Sequence, residues 1–210
     1  AYQASLNYAM ERPQGRIAGE KDPLKAPTLI INHADVQRML LTQKAIAEGS
    51  LSLAMECNRL YDLSQVASGE EKEKFQLLLE ILTPVVKTYS SEQGSRSASL
   101  AIQILGGYGY TTDFPVQQHY RDLKIMSLYE GTTGIQSLDL LGRKITMQNG
   151  KALEMLVQAI LDTLVAAQRF EKLQVYATQM EGELKRLKKV LDKLRGFAVK
   201  AETERYLADA

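Results

Sequence analysis

QILGGYGYT, Gln103 to Thr111, is the stretch whose reading decides the fold. A glycine-rich run beside aromatics also occurs in dinucleotide-binding turns, but such a turn follows a β-strand and opens a helix within a parallel sheet. Here no strand signal comes before it. From Phe75 to Leu105 apolar residues recur at helical spacing, crossed once by Pro84, which is expected to kink the stretch or split it in two. The double glycine therefore reads first as a helix stop. GGYGYTTDFP then reads as a turn-rich break between helices.

Working outward, the same period continues on both sides. Downstream, VQQHYRDLKI is a shorter helix and TGIQSLDLLGRKI another. Upstream, Asn32 or Asp35 could cap a long helix through MLLTQKAIAEGSLSLAMECNRLYDL. Its Val36, Met39, Leu40, Ala47, Leu51, Ala54 and Met55 are expected to face a core. Gly49 weakens that helix by roughly 1 kcal/mol against alanine unless close packing needs the space. Only TLII, Thr28 to Ile31, is briefly β-like, and it sits in a Pro-bounded loop. The first residues, with Ala1, Tyr2, Ala4, Leu6, Ala9 and Met10 at helical spacing, have no cap before them, as expected of a piece of a longer protein. Helical period throughout implies an all-α helical bundle.

Beyond QNG, Gln148 to Gly150, the texture changes, and a boundary is expected there: 1–148 forms one unit and 149–210 an added helical segment. Leu153, Leu156, Val157, Ile160, Leu161 and Leu164 mark one helix. Then Leu173, Ala177, Met180, Leu184, Leu187, Leu191 and Leu194 alternate steps of four and three, a heptad seam. An antiparallel hairpin within the chain is the preferred reading, and a coiled-coil contact with a partner the other.

Composition excludes several classes. The 210 residues carry 26 Lys and Arg against 25 acids, a net charge of +1 that gives no general attraction to nucleic acid. One cysteine, Cys57, precludes an internal disulfide framework. His33 and His119 lack neighbours at ligand spacing, so no metal is expected. No apolar run reaches the length of a membrane span.

One acid stands apart. In LYEGTTGIQ, Leu128 to Gln136, Glu130 lies where one helical pattern gives way to the next. It is either a neighbour of a helix cap at Thr132 or Thr133, or a general base held at a helix N-terminus. Taken singly, each of these stretches is weak. In order and spacing, however, four of them resemble the C-terminal helical domain of the acyl-CoA dehydrogenase family over roughly 1–145: Glu11-Arg12 with Gly15, Gln103 to Tyr110, Arg121-Asp122 with Lys124-Ile125, and Tyr129 to Thr132. Within the family, the PQGR turn, the GEKDPLKAP loop and the helical tail look most like the 3-methylmercaptopropionyl-CoA dehydrogenase branch.

The resemblance implies oxidation of an acyl-CoA thioester to the trans-2-enoyl thioester, with FAD as cofactor and electron-transferring flavoprotein as electron acceptor. Glu130 matches the family's base, which removes the α-proton. Thr132 matches a contact to the flavin region. Arg12 matches the arginine that reaches the FAD pyrophosphate of a neighbouring subunit in a homo-dimer or tetramer, and Gln103, Gly106 and Gly107 match the segment along the adenosine half. A cytoplasmic bacterial location, or the mitochondrial matrix in a eukaryote, is implied. Two departures stand out: Gly134 replaces a Gln or Arg common after YEGT, and the PQGR turn is one residue short. The family's N-terminal helical and central β-domains have no counterpart in these residues, so the chain alone is expected to be inactive. An acyl-CoA oxidase is the enzymatic alternative, and a helical interaction module built on the heptad seam the non-enzymatic one.

Overall fold

A computed structural model describes residues 1–209. Helices dominate it: α1 (Tyr2–Glu11), α2 (Ala34–Val66), α3 (Gly69–Leu105), α4 (Gly107–Tyr110), α5 (Val116–Ile125), α6 (Thr133–Gly142), α7 (Lys151–Ala167), α8 (Glu171–Val199) and α9 (Thr203–Asp209). No strand occurs among the described residues, so the all-α expectation holds. TLII contributes one isolated antiparallel bridge, Pro13 with Leu29, before a 3-10 turn at Ile30–Asn32.

The helix boundaries correct several expectations. α3 is not split at Pro84; it runs through the proline as one element. Proline cannot donate to the carbonyl four residues back, yet Leu77 and Ile81 before it and Ala98, Ala101 and Ile104 after it are all buried. Burial along the whole element outweighs one lost ladder bond. Neither Asn32 nor Asp35 is the cap of α2. The helix begins at Ala34, and Asp35 lies inside its first turn, paired with Arg38 at 2.7 Å. The expected turn at Gly106 to Pro115 contains the short helix α4.

The buried face of α2 also differs from the one expected. Met39 and Leu40 are buried, but Ala47, Leu51 and Met55 are exposed. The buried stripe instead runs Met39, Gln43, Ile46, Cys57, Leu60 and Ser64. Two polar residues on that stripe hid it. Ser5 Oγ donates to Gln43 Oε1 at 3.1 Å, while Gln43 Nε2 is buried with no partner among the described residues.

Packing divides the chain into two compact units. One comprises Ala1–Asn58 with Val85–Thr133; the other comprises Arg59–Pro84 with the residues from Gly134 on. In the first, Ala9, Ile30, Met39, Leu40, Ala101, Ile104, Leu105 and Val116 form a core. In the second, Leu77, Ile81, Ile145 and Ala152 do so, with Leu156 and Leu191 packed against them. Each fully buried leucine or isoleucine contributes about 1.5–3 kcal/mol through the hydrophobic effect.

At QNG the backbone leaves helical space: Gln148 and Asn149 have φ of 49° and 57°, and Gly150, at φ 93°, precedes α7. In α8 the heptad seam divides lengthwise. Ala177 and Leu194 are buried and Leu184 and Leu191 partly so, whereas Leu173, Met180 and Leu187 are exposed.

Candidate functional site

The turn between α5 and α6 is the first place where the marked residues acquire geometry. Glu130 has φ 55° and Gly131 φ 86°, two successive left-handed residues. Glycine adopts this freely, but a glutamate rarely does, so its neighbours must hold the conformation. α3 provides the holding. Lys87 Nζ donates to the Gly131 carbonyl, and Thr133 Oγ1 donates to Glu92 Oε1 at 2.5 Å. Lys124 of α5 lies 3.9 Å from the other oxygen of Glu92. Thr133 is the first residue of α6 and leaves the exposed Thr132 immediately before it.

Glu130 and Tyr129 open onto a cavity of about 610 Å³ in the first unit. Ile46, Leu123 and Met126 give it apolar walls, and Ser90, Ser91, Gly94 and Ser97 of α3 line another side. Small side chains on α3 keep this space open. A Cβ at Gly94 would already stand 3.1 Å from Leu123 Cδ2. Glu130 itself is exposed, so these residues alone do not build the water-excluded setting a carboxylate base works in.

The second group gathers where α1 and α3 end. Arg12 closes α1, and its carbonyl accepts from Ile30 N at 2.9 Å across the short hairpin begun by Pro13. The exposed guanidinium lies over the Tyr108 ring, 5.9 Å from its centroid. Phe114 meets Tyr108 edge-on at 5.9 Å and Tyr8 at 5.6 Å, which fixes the floor beneath the arginine. Arg16, the other arginine of the turn, is committed elsewhere. Its guanidinium donates to the carbonyls of Lys25, at 2.9 Å, and Pro23, at 2.5 Å.

Gln103 is exposed on the last turn of α3, and its carbonyl accepts from Gly106 N at 3.2 Å. Gly106 adopts φ 61°, ψ −138°, backbone that suits glycine alone. A Cβ at Gly106 or Gly107 would meet nothing within 4 Å, so a ligand could come up against bare backbone. Gly109 is different: its Cβ would fall 2.7 Å from the Ile102 carbonyl oxygen. That glycine permits packing of α4 on α3.

The structure thus brings Arg12 to the α3–α4 junction that holds Gln103, Gly106 and Gly107, and sets Glu130 and Thr132 together in the other turn. Sequence reasoning missed Lys87 and Glu92. No local rule ties Lys87 to a carbonyl 44 residues away. The visible signal was the run SSEQGSRSAS, Ser90 to Ser99, small residues along a helix that otherwise carries large ones. Cys57 takes no part in either group; burial pushes its thiol up and leaves it a poor nucleophile.

Residues 1–145 match the family model described as acyl-CoA dehydrogenase, C-terminal domain. Among curated relatives, 3-methylmercaptopropionyl-CoA dehydrogenase of Ruegeria pomeroyi is 39% identical over 163 residues, 78% of this chain and 27% of that one. The broad-specificity linear acyl-CoA dehydrogenase FadE5 of Mycobacterium tuberculosis is 39% identical over 155 residues, 72% of this chain and 25% of its own. The crystal structure of Caenorhabditis elegans ACDH-11 in complex with C11-CoA superposes with a TM-score of 0.76 at 25% identity, covering 93% of this chain and 31% of that one. The chain therefore spans about a quarter to a third of the length of the relatives it matches. Within that span, the chain belongs to the acyl-CoA dehydrogenase family and corresponds to its C-terminal domain.

Proposed function

We propose that this chain supplies the catalytic carboxylate and part of the flavin site of an FAD-dependent acyl-CoA dehydrogenase. The observation that carries the reading is Glu130, held in a left-handed turn at an apolar cavity of about 610 Å³. Such a cavity suits an acyl chain, and a carboxylate fixed at its edge suits removal of a proton from the carbon next to the thioester. Fixing the base before substrate arrives supplies part of the rate through orientation.

The residues present also fit the cofactor. The open backbone at Gly106 and Gly107 lets a planar or phosphorylated group approach closely, and Arg12 presents a fork of donors suited to a pyrophosphate. Thr132, exposed beside Glu130, is the proposed contact on the flavin side, and Gln103 the contact on the adenosine side. Bound FAD would accept the β-hydrogen as hydride while the α-proton leaves. Glu130 takes that proton, and the electron pair of the C–H bond becomes the new double bond. Water must be excluded from Glu130 by surfaces beyond those of this chain, so the chain alone is inactive.

Residues 1–148 are proposed as the family's helical bundle and 149–210 as an added segment, in keeping with the matched range and the backbone break at Gln148 and Asn149. Electron-transferring flavoprotein as acceptor, assembly as a homo-dimer or tetramer, and a bacterial cytoplasmic or mitochondrial matrix location follow from the family. No helix among the described residues is long and apolar enough to cross a membrane. The test is direct. Joined to the family's other domains and purified with FAD, the protein should bleach its flavin band anaerobically on addition of an acyl-CoA and release the 2-enoyl thioester. An unchanged flavin spectrum across acyl-CoAs of short, medium and long chain would refute the reading.

A further inference from the structure

Glu130 stands in a turn that α3 supports from outside. A non-glycine residue at φ 55° followed by Gly131 at φ 86° is a local arrangement that the chain leaves unless outside contacts oppose it. Two such contacts come from one helix, at points five residues apart. Lys87 reaches the Gly131 carbonyl, one residue after the strained position, and Glu92 accepts from Thr133 at the start of α6. The two struts differ in kind. Glu92 is shared with Lys124, so its bond to Thr133 belongs to a wider surface network. Lys87 is partly buried and lines the same cavity as Glu130, with its ammonium on the carbonyl of the Gly131–Thr132 peptide, the second peptide group after Glu130.

We propose that Lys87 is a positioning residue for the base: its charge-assisted bond to the Gly131 carbonyl locks the left-handed turn and thereby aims Glu130 at the substrate. This rests on the reading of Glu130 as the base. A charged donor on a carbonyl makes a stronger bond than a neutral one, and a peptide plane gripped at its oxygen cannot rotate. With the Gly131–Thr132 plane held, Glu130 can leave its left-handed conformation only against a fixed downstream end of the turn. The helix beneath is long and buried along one side, so the lysine stem starts from a fixed point. A rigid element thus positions a reactive group that sits on a turn.

Such a residue acts on the transition state and not on the holding of substrate. In the FAD-loaded protein with the family's other domains present, Lys87→Met should lower kcat by about 10–100-fold with KM little changed, because small misplacement of a reacting group costs about that much. Flavin content and thermal midpoint should remain near the parent's. Lys87→Arg, which keeps a charged donor, should recover most of the rate. Amide hydrogen exchange at Gly131 and Thr132 should quicken in Lys87→Met and remain slow in Lys87→Arg; this readout needs no turnover. The change should also vanish against Glu130→Gln: the double variant should be no slower than Glu130→Gln alone. If Glu130→Gln keeps full activity, the base is misassigned. If Glu130→Gln is slow while Lys87→Met turns over normally with protected amides, the base stands and the positioning role of Lys87 is overturned. A Lys87→Met variant whose loss is not recovered by arginine, and whose KM rises with unchanged amide exchange, overturns it as well.

Discussion

Gly107 and Gly109 stand two residues apart and serve different ends. A methyl group at Gly109 would press on the Ile102 carbonyl and Cα, at 2.7 and 2.8 Å, and backbone cannot yield cheaply there. Gly109→Ala is expected to destabilise the fold by about 1–3 kcal/mol, the usual cost of overpacking, measurable by denaturant melts. A methyl at Gly107 meets nothing within 4 Å. Gly107→Ala should melt near the parent and weaken flavin binding instead, read by titrating the apoprotein with FAD. If both variants melt alike and bind alike, the division of roles is wrong. The sequence showed that glycines cluster here, and it showed Arg12 and Arg16 flanking one turn. It could not show which glycine faces a carbonyl, nor that Arg16 is tied to Pro23 and Lys25 while Arg12 rests over Tyr108. Those facts depend on how separate elements approach one another.

At the scale of elements, period was legible and the buried face was less so. The helical spacing of α5, α6, α7 and α8 announced them, whereas α2 hid its inner stripe behind Gln43 and Ser64 while placing Leu51 and Met55 in solvent. A proline expected to kink or split its helix sits buried in the middle of an unbroken α3. Propensity yields when both flanks of a helix are packed. Polar burial also governs the second unit. Lys144 is 3% exposed and its ammonium pairs with Glu80, with Asp139 at 4.0 Å. Burial pushes the lysine below its ordinary value near 10.5. The unfolded chain therefore binds more protons than the folded one in the window just below that value, and this lysine's penalty on folding eases as pH rises through it. The two partners are not equivalent, because Glu80 is half exposed. Glu80→Gln strands a buried charge and should cost about 1–3 kcal/mol, whereas Lys144→Met leaves an acid that water can reach and should cost less. Chemical denaturation of the two variants compares them, and a larger loss in Lys144→Met would contradict the asymmetry.

The α8 seam poses the same question in apolar terms. Its inner edge, Ala177, Leu184, Leu191 and Leu194, faces its own chain, as an intrachain hairpin requires, while Leu173, Met180 and Leu187 are exposed. Leu184→Asp should lower the melting midpoint and leave oligomeric state unchanged, since an unpaired polar group on the inner edge costs on the order of 1–3 kcal/mol. Leu187→Asp should change neither the midpoint nor the oligomeric state. Separation of either variant into smaller folded species by light scattering would make the seam intermolecular.

On the scale of the whole molecule, helical period marked the fold and four short motifs in order marked the family. The motifs carried further than any single residue, because each alone is common and their sequence is not. What they could not carry was the support of the turn, which lies on α3 more than 40 residues away in the chain. The flavin side is expected to depend on Arg12. Arg12→Ala should lose flavin on gel filtration while the helical content by circular dichroism is preserved, and retention of full flavin would remove Arg12 from the site. The central claim concerns Glu130. Glu130→Gln keeps the shape of the side chain and abolishes its basicity, so flavin occupancy should be unchanged. Rapid mixing of this variant with an acyl-CoA under anaerobic conditions measures the claim most directly. The account predicts that the flavin band fades about 10²–10⁴ times more slowly than in the parent protein, the usual loss when a general base is removed. Fading at the parent's rate would contradict it.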